Sequence, residues 1–162
     1  MYFSQYMDMG NGRTAIQLFY NPVGNTLQKI SGYELEVHQY KLKTGQETAY
    51  TRALFPIQKG IPYLFIDRVF YDLFDITNVQ SYNDELVMYD PGNTVTTGFV
   101  LKKNGVVIDV LGDPTSHSQF TPKGGTIIRK SGIHAGSSSF NLYGEWNSFP
   151  TGTVQYLGGH TP

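Results

Sequence analysis

The sequence predicts an all-β protein, a sandwich or barrel of about nine or ten short strands with at most one short helix. Three observations carry this. Aromatic residues are abundant, with 12 Tyr and 10 Phe against one Trp, and they alternate with Thr, Val and Ile, residues that suit a pleated, half-buried surface. The 18 Gly and 8 Pro punctuate the chain with turn formers at intervals of roughly a dozen residues, the spacing of short strands in a sandwich or barrel. Around Asn104-Gly105, two β-rich runs, 99–103 and 106–111, form the strongest short-range hairpin signal, because both turn residues accept positive φ.

The remaining elements follow in order. Residues 1–9 read as a first strand with Tyr2, Phe3, Tyr6 and Met7 as its apolar surface, ending at the turn formers Gly10-Asn11-Gly12. Residues 13–20 alternate Ile16, Leu18 and Tyr20 against Ala15, Gln17 and Phe19, then meet the turn pair Asn21-Pro22. In the polar connection 23–31, Leu27 and Ile30 are expected to plug the core. Residues 33–38 alternate at period two, so that Tyr33, Leu35 and Val37 face inward and Glu34, Glu36 and His38 face solvent. A loop around Gly45 leads to a returning strand over 48–55, stopped at Pro56, and residues 61–66 form another strand with Pro62 near its start.

Val69, Phe70, Leu73 and Phe74 fall at helical spacing, which predicts one or two helical turns within 68–75. A short strand over 85–89 ends in the turn Asp90-Pro91-Gly92-Asn93. Beyond the Asn104-Gly105 hairpin, a long loop over 113–125 precedes a strand at 126–129 and a loop of small residues at 132–139. Two short runs, 146–149 and 154–157, flank the last turn at Pro150. No repeat, linker or low-complexity block interrupts the pattern, so the 162 residues are expected to form one domain with one core.

Composition narrows the function classes. The formal net charge is -1, so no sequence-wide basic field exists to hold nucleic acid by counterion release. Cysteine is absent, which removes disulfides, thiolate catalysis and thiolate metal sites. Residues 1–10 resemble neither the charged nor the apolar part of a signal peptide, and no run of 18 apolar residues occurs. No transmembrane segment is expected within these residues.

In their order along the chain, several motifs resemble the lamin tail domain family. Ala15-Ile16-Gln17-Leu18-Phe19-Tyr20-Asn21-Pro22 is similar to the family's alternating strand ending in an Asn-Pro turn, and residues 30–35 to the strand after it. Val107-Ile108-Asp109-Val110-Leu111-Gly112 resembles its aspartate-then-glycine strand, and Gly125-Thr126-Ile127-Ile128-Arg129 its arginine strand. Gly144-Glu145-Trp146-Asn147 and Leu157-Gly158-Gly159-His160 are similar to the ending of its bacterial members. The chain departs from the pattern at Gln17, where the family commonly carries an acid, and over 59–95, which is longer and more aromatic. The resemblance implies an immunoglobulin-like β-sandwich of the lamin tail type, of the kind found behind the rods of nuclear intermediate filaments and beside bacterial secreted nucleases, phosphatases and other surface proteins. It also implies an extracellular, periplasmic or cell-surface location.

Candidate chemistry is sparse. Asp109 and Arg129 each sit in an otherwise apolar strand. They either contact a charged ligand or satisfy each other in a buried network, and the cost of an unpaired buried charge favours the network. Trp146 either stacks on a sugar or base or fills the core between sheets; core is the expectation. Asp109, Arg129 and Trp146 are therefore assigned to a structural network.

Tyr71, Tyr82 and Tyr89, with Tyr143, lie in or beside loops and are the candidate ligand-binding aromatics, suited to the faces of carbohydrate rings. The four histidines, His38, His117, His134 and His160, show no ligand spacing, and Asp84, Glu85 and Asp113 form no calcium ladder. No metal or cofactor is expected. Ser116-His117-Ser118 and Ser137-Ser138-Ser139 lie outside any nucleophile-elbow sequence. Lys102-Lys103 and Arg129-Lys130 are read as solvated strand-edge cations that resist edge pairing.

The function expected from these readings is a non-catalytic interaction, scaffold or targeting module of a bacterial cell-surface or secreted protein, with a protein, cell-envelope or glycan partner. The alternatives are a carbohydrate-binding or adhesion module using loop aromatics, and a hydrolase with a loop-assembled site. Any binding site is expected first in the aromatic segment 68–91.

Overall fold

The computed structural model describes residues 1–8, 14–20, 29–58, 60–66, 80–82, 93–121 and 125–158. Among them, β1 (Tyr2–Asp8), β2 (Thr14–Phe19), β7 (Tyr63–Ile66), β8 (Gln80–Tyr82), β11 (Thr126–Arg129) and β12 (Trp146–Phe149) form one sheet in the order β12-β11-β1-β2-β7-β8. Only its last pair, β7 with β8, is parallel. The strands β4 (Tyr33–Lys41), β5 (Gln46–Ala53), β9 (Thr94–Lys103) and β10 (Val106–Gly112) form an antiparallel second sheet in the order β10-β9-β4-β5. A small pair, β3 (Lys29–Ile30) with β6 (Ile57–Gln58), stands apart.

The two large sheets enclose one apolar core, which makes the fold an all-β sandwich. Phe3, Ile16, Leu18, Phe65, Ile127 and Trp146 from the first sheet meet Leu35, Val37, Phe99, Leu101 and Leu111 from the second. Phe99 touches both Phe3 and Tyr6 across the gap, with centroids 6.5 and 6.0 Å apart. The period-two reading of β4 holds, since Tyr33, Leu35 and Val37 are buried and the residues between them are partly exposed. The hairpin reading holds as well: Asn104 (φ 50°) and Gly105 (φ 79°) are both left-handed between β9 and β10, as a type I′ turn requires.

All seven residues of β1 are buried, because β1 lies in the middle of its sheet and is covered on both faces. On the outer face, Met7, Ala15, Leu64 and Ile66 pack against Val154 and Leu157. Residues 154–157 are thus not a strand-like partner of β12 but a turn, with the Leu157 N–H donating to the Val154 carbonyl at 2.9 Å. Their apolar side chains, three apart, are spent on covering β1 and β2. The Gln17 side chain donates to Ser4 Oγ (2.9 Å) and accepts from the Gly158 N–H (2.8 Å). An amide can do both, whereas a carboxylate only accepts.

The helix expected within 68–75 lies outside the described residues, as do Leu27, the turn formers 10–12 and 21–22, and the strand expected at 85–89. The helix that is described, α1 (Leu142–Glu145), was not anticipated. Asn141 caps it, its Oδ1 accepting the Gly144 N–H at 2.9 Å. No described helix is long and apolar enough to cross a membrane.

Candidate functional site

The densest polar constellation lies between the sheets. In β10 the register against β9 shifts between Val107 and Asp109. This bulge re-aims the strand so that Asp109 pairs opposite inward-facing Leu101 and its side chain enters the core. There it meets Arg129 of β11 in a bidentate pair, Nη1 to Oδ2 at 2.8 Å and Nη2 to Oδ1 at 3.0 Å. Both side chains are essentially excluded from solvent.

Asp109 also accepts the backbone N–H groups of Phe3 (2.7 Å), Val110 (3.1 Å) and Ser137 (2.9 Å). Arg129 donates further to the Ala135 carbonyl (3.3 Å) and to Glu145 Oε2 (2.9 Å). Trp146 lies directly across from Arg129 in the β11–β12 ladder. Its ring receives the guanidinium at 4.8 Å, with the Tyr2 ring 5.5 Å away on β1. Asp109, Arg129 and Trp146 are thus brought together, and they link both sheets, α1 and the 135–137 loop. Chemically the carboxylate is saturated with donors, which suits a fastener. Charge-assisted bonds of this kind are the strong ones.

The loop at Gly136 makes this possible. A Cβ there would lie 2.3 Å from the Ile108 carbonyl oxygen and 2.6 Å from Asp109 Cβ. Gly136→Ala is expected to push the loop away, remove the Ser137 N–H from Asp109 and cost about 1–3 kcal/mol. Urea denaturation checks this; a midpoint equal to that of the native chain would contradict the tight approach.

His117, Ser116, Ser118, Ser137 and Ser139 have local partners. His117 stacks on Tyr40 (centroids 4.3 Å apart) and its Nε2 lies 2.8 Å from Glu47 Oε1. Ser116 Oγ bonds Ser118 Oγ at 2.9 Å, and Ser137 Oγ accepts the Ser139 N–H at 3.2 Å. Each serine pair shapes its own turn. Among the described residues, no group of three or more His, Asp or Glu side chains converges as a metal site.

On the outer face of the second sheet, Glu36 bonds His38 Nε2 at 2.5 Å and also Lys102 Nζ. The Lys102 bond, followed by His38, holds the Glu36 carboxyl below its ordinary range. A depressed folded-state pKa gives stability that is complete above the unfolded value and lost as pH falls through the folded one. Glu36→Gln is therefore expected to flatten the acid limb of the melting temperature against pH below about 4.5. An acid limb of unchanged slope would show that Glu36 contributes nothing to it.

Tyr71 and Tyr89 lie outside the described residues, as does the side chain of Tyr82, whose backbone ends β8. Tyr143 stands 89% exposed on α1. The described aromatic surface that sequence reasoning missed is a depression of about 210 Å³ lined by Arg52, Ala53, Phe55, Tyr63 and Phe65. The turn at Pro56 drew attention to the end of β5, but Phe55 carries no signal of exposure in the sequence.

The basic pairs do not sit on sheet edges. β9 runs between β10 and β4. There Lys102 binds Glu36, while Lys103 donates to the Ser31 carbonyl and covers the Tyr33 ring. β11 is also interior, and Lys130 Nζ bonds the α1 carbonyls of Tyr143 and Gly144 at 2.8 and 3.1 Å. These cations are held by local acceptors, so the edges are defended by other means where they are defended at all.

β5 is the long undefended edge among the described residues. Its register against β4 runs without a shift from Lys41↔Gln46 to Glu34↔Ala53. The Leu54 N–H donates to the Tyr33 carbonyl at 2.8 Å, one step beyond the Glu34↔Ala53 pair. Bonded and open pairs alternate in an antiparallel ladder, so Glu47, Ala49, Thr51 and Ala53 turn their N–H and C=O groups away from β4. These four residues are exposed, as is Gln46, whereas Thr48, Tyr50 and Arg52 are half-buried. Comparison of the chain with protein-family models, with curated proteins and with solved structures finds no match.

Proposed function

We propose that this chain is a non-catalytic interaction module, a β-sandwich of the lamin tail type belonging to a bacterial cell-surface or secreted protein, that engages its partner along β5. The observation that carries this reading is the unbroken β5 edge. Its outward N–H and C=O groups offer the template used in strand addition, where the main chain supplies affinity and alternate side chains supply specificity. The buried Asp109–Arg129 pair supports the reading in another way, since it stiffens the scaffold on which such an edge is presented.

The test compares proteins recovered from the cell envelope by the native chain and by Thr51→Pro. This substitution removes an outward N–H that β4 does not use. Loss of specific partners from the variant is expected. Recovery of the same proteins by both, or turnover of ester or phosphoester substrates by the native chain, would overturn the proposal.

A second reading, carbohydrate binding, is favoured by the depression lined by Arg52, Phe55, Tyr63 and Phe65. Phe55, 55% exposed in the same depression as the Arg52 guanidinium, suits a sugar with an acidic group. A glycan array run with Phe55→Ala, Tyr71→Ala and Tyr82→Ala separates it from strand pairing, because these substitutions leave the β5 backbone intact.

A further inference from the structure

Resting on the reading of β5 as the interaction edge, we infer that its partner is an extended segment carrying Lys or Arg at the position facing Ala53, with the cation reaching across Ala53 to Glu34. A strand added to β5 continues the rows of side chains that the ladders of the second sheet set up. On the outer face one row runs Ala53, Glu34, Lys102, Val107, and the next runs Thr51, Glu36, Val100, Val110. The partner residue facing Ala53 therefore joins the row of Glu34.

Glu34 is the acid that this row leaves open. Its neighbour Lys102 is bonded to Glu36, which His38 bonds as well. Among the described residues no hydrogen bond or ion pair holds the Glu34 carboxylate, and the residue is half-buried. Two strand spacings, roughly 10 Å, separate the partner's backbone from that of Glu34. Ala53, between them, has only a methyl group, so a long side chain can lie flat over it and bring its charge to the carboxylate. Lys and Arg have that reach, with an apolar stem to cover the alanine.

The other positions along β5 select less. Facing Thr51, a partner cation would meet Glu36, whose carboxylate already serves two partners. Facing Ala49 it would meet His38, and Glu47 is bonded by His117. On the inner side Tyr50 and Arg52 lie against one another, the guanidinium 6.0 Å from the ring centroid. Complementary charge across an interface fixes register and suppresses wrong partners, so an acidic residue facing Ala53 is disfavoured by Glu34. The open backbone supplies the affinity, and the small residue in front of Glu34 supplies the charge preference.

The test is fluorescence anisotropy of labelled peptides of alternating Thr and Val, with Lys, Arg, norleucine or Glu at the central position of the Thr face. They are titrated with the native chain, Glu34→Gln, Glu34→Lys, Glu47→Gln and Thr51→Pro. Near-ultraviolet circular dichroism of buried Trp146 reports folding. The Lys and Arg peptides are expected to bind the native chain about fivefold tighter than the norleucine peptide, the ceiling for an exposed ion pair, with the Glu peptide weakest. Glu34→Gln levels the Lys and norleucine peptides, Glu34→Lys inverts the order in favour of Glu, and Glu47→Gln keeps the native order. Equal affinity of all four peptides for the native chain, binding of none, a Lys preference that survives in folded Glu34→Gln, or one lost in folded Glu47→Gln overturns the inference. If binding shows no charge preference yet is lost in folded Thr51→Pro, only the chemistry of the partner fails. If Thr51→Pro neither weakens peptide binding nor loses cell-envelope partners, the interaction-edge reading fails with it.

Discussion

Arg129→Ala is expected to destabilise the protein by about 3–5 kcal/mol, the cost of leaving one partner of a buried ion pair uncompensated. In a domain of this size that corresponds to a melting temperature lower by about 10 °C. The loss extends beyond the pair. Glu145 loses a donor, the Ala135 carbonyl loses another, and the faces of Trp146 and Tyr2 lose the guanidinium between them. An unchanged melting temperature would sink the assignment of Arg129 to a structural network.

An apolar replacement of both partners, Asp109→Leu with Arg129→Met, distinguishes this fastener from a simple ion pair. Swapping an isolated buried pair for well-packed hydrophobes is often neutral or stabilising. Here Asp109 also accepts the Phe3 and Ser137 N–H groups, and these lose that acceptor in the double variant, whereas the Val110 N–H keeps the Ser137 carbonyl. The double variant is therefore expected to stay less stable than the native chain. Recovery of full stability would mean that the backbone donors find other partners.

Trp146→Ala is the second large effect, at about 3–5 kcal/mol for truncating a buried Trp. The ring packs against Phe140 (centroids 6.2 Å apart) and covers Arg129, and the residue is 3% exposed. Tyr143→Ala, three residues earlier and 89% exposed, is the natural control, because surface changes usually stay within about 0.5 kcal/mol. Denaturation midpoints of the two variants should differ clearly. If Trp146→Ala unfolds at the same urea concentration as Tyr143→Ala, the ring is not part of the core.

Local pattern made much of this fold legible. The alternation of Tyr33, Leu35 and Val37 and the positive-φ demand at Asn104-Gly105 are decided by neighbours in the chain, so sequence reads them directly. The burial of Asp109 and Arg129 in apolar strands implies partners by energy alone. What stays illegible depends on distant segments. That Glu145 would reach Arg129, that residues 154–157 would lie across β1 and β2, and that β8 would join β7 in parallel are settled by tertiary packing.

The bulge before Asp109 and the cap at Asn141 have weaker local signals. An Asn before a short polar-apolar run is a known helix start, but the run here is only four residues. The aromatic candidates Tyr71 and Tyr89 came from composition and loop position, a signal that says nothing about whether rings converge. The β5 edge was missed for a different reason: edge status is a property of strand order, and strand order is not written in any one strand.

The position of β1 has a consequence for how the chain matures during synthesis. β1 is the first strand made, yet one of its neighbours is β11, and the Phe3 N–H is held by Asp109 at a sequence separation of 106. Its β11-facing side therefore stays unpaired until most of the chain has emerged. Folding dominated by such long-range pairings is slow, on the order of milliseconds to seconds. During that interval this seven-residue strand, every residue of which ends up buried, is open to wrong pairing, so the yield of correctly folded protein should depend on how quickly residues 126–129 arrive beside it.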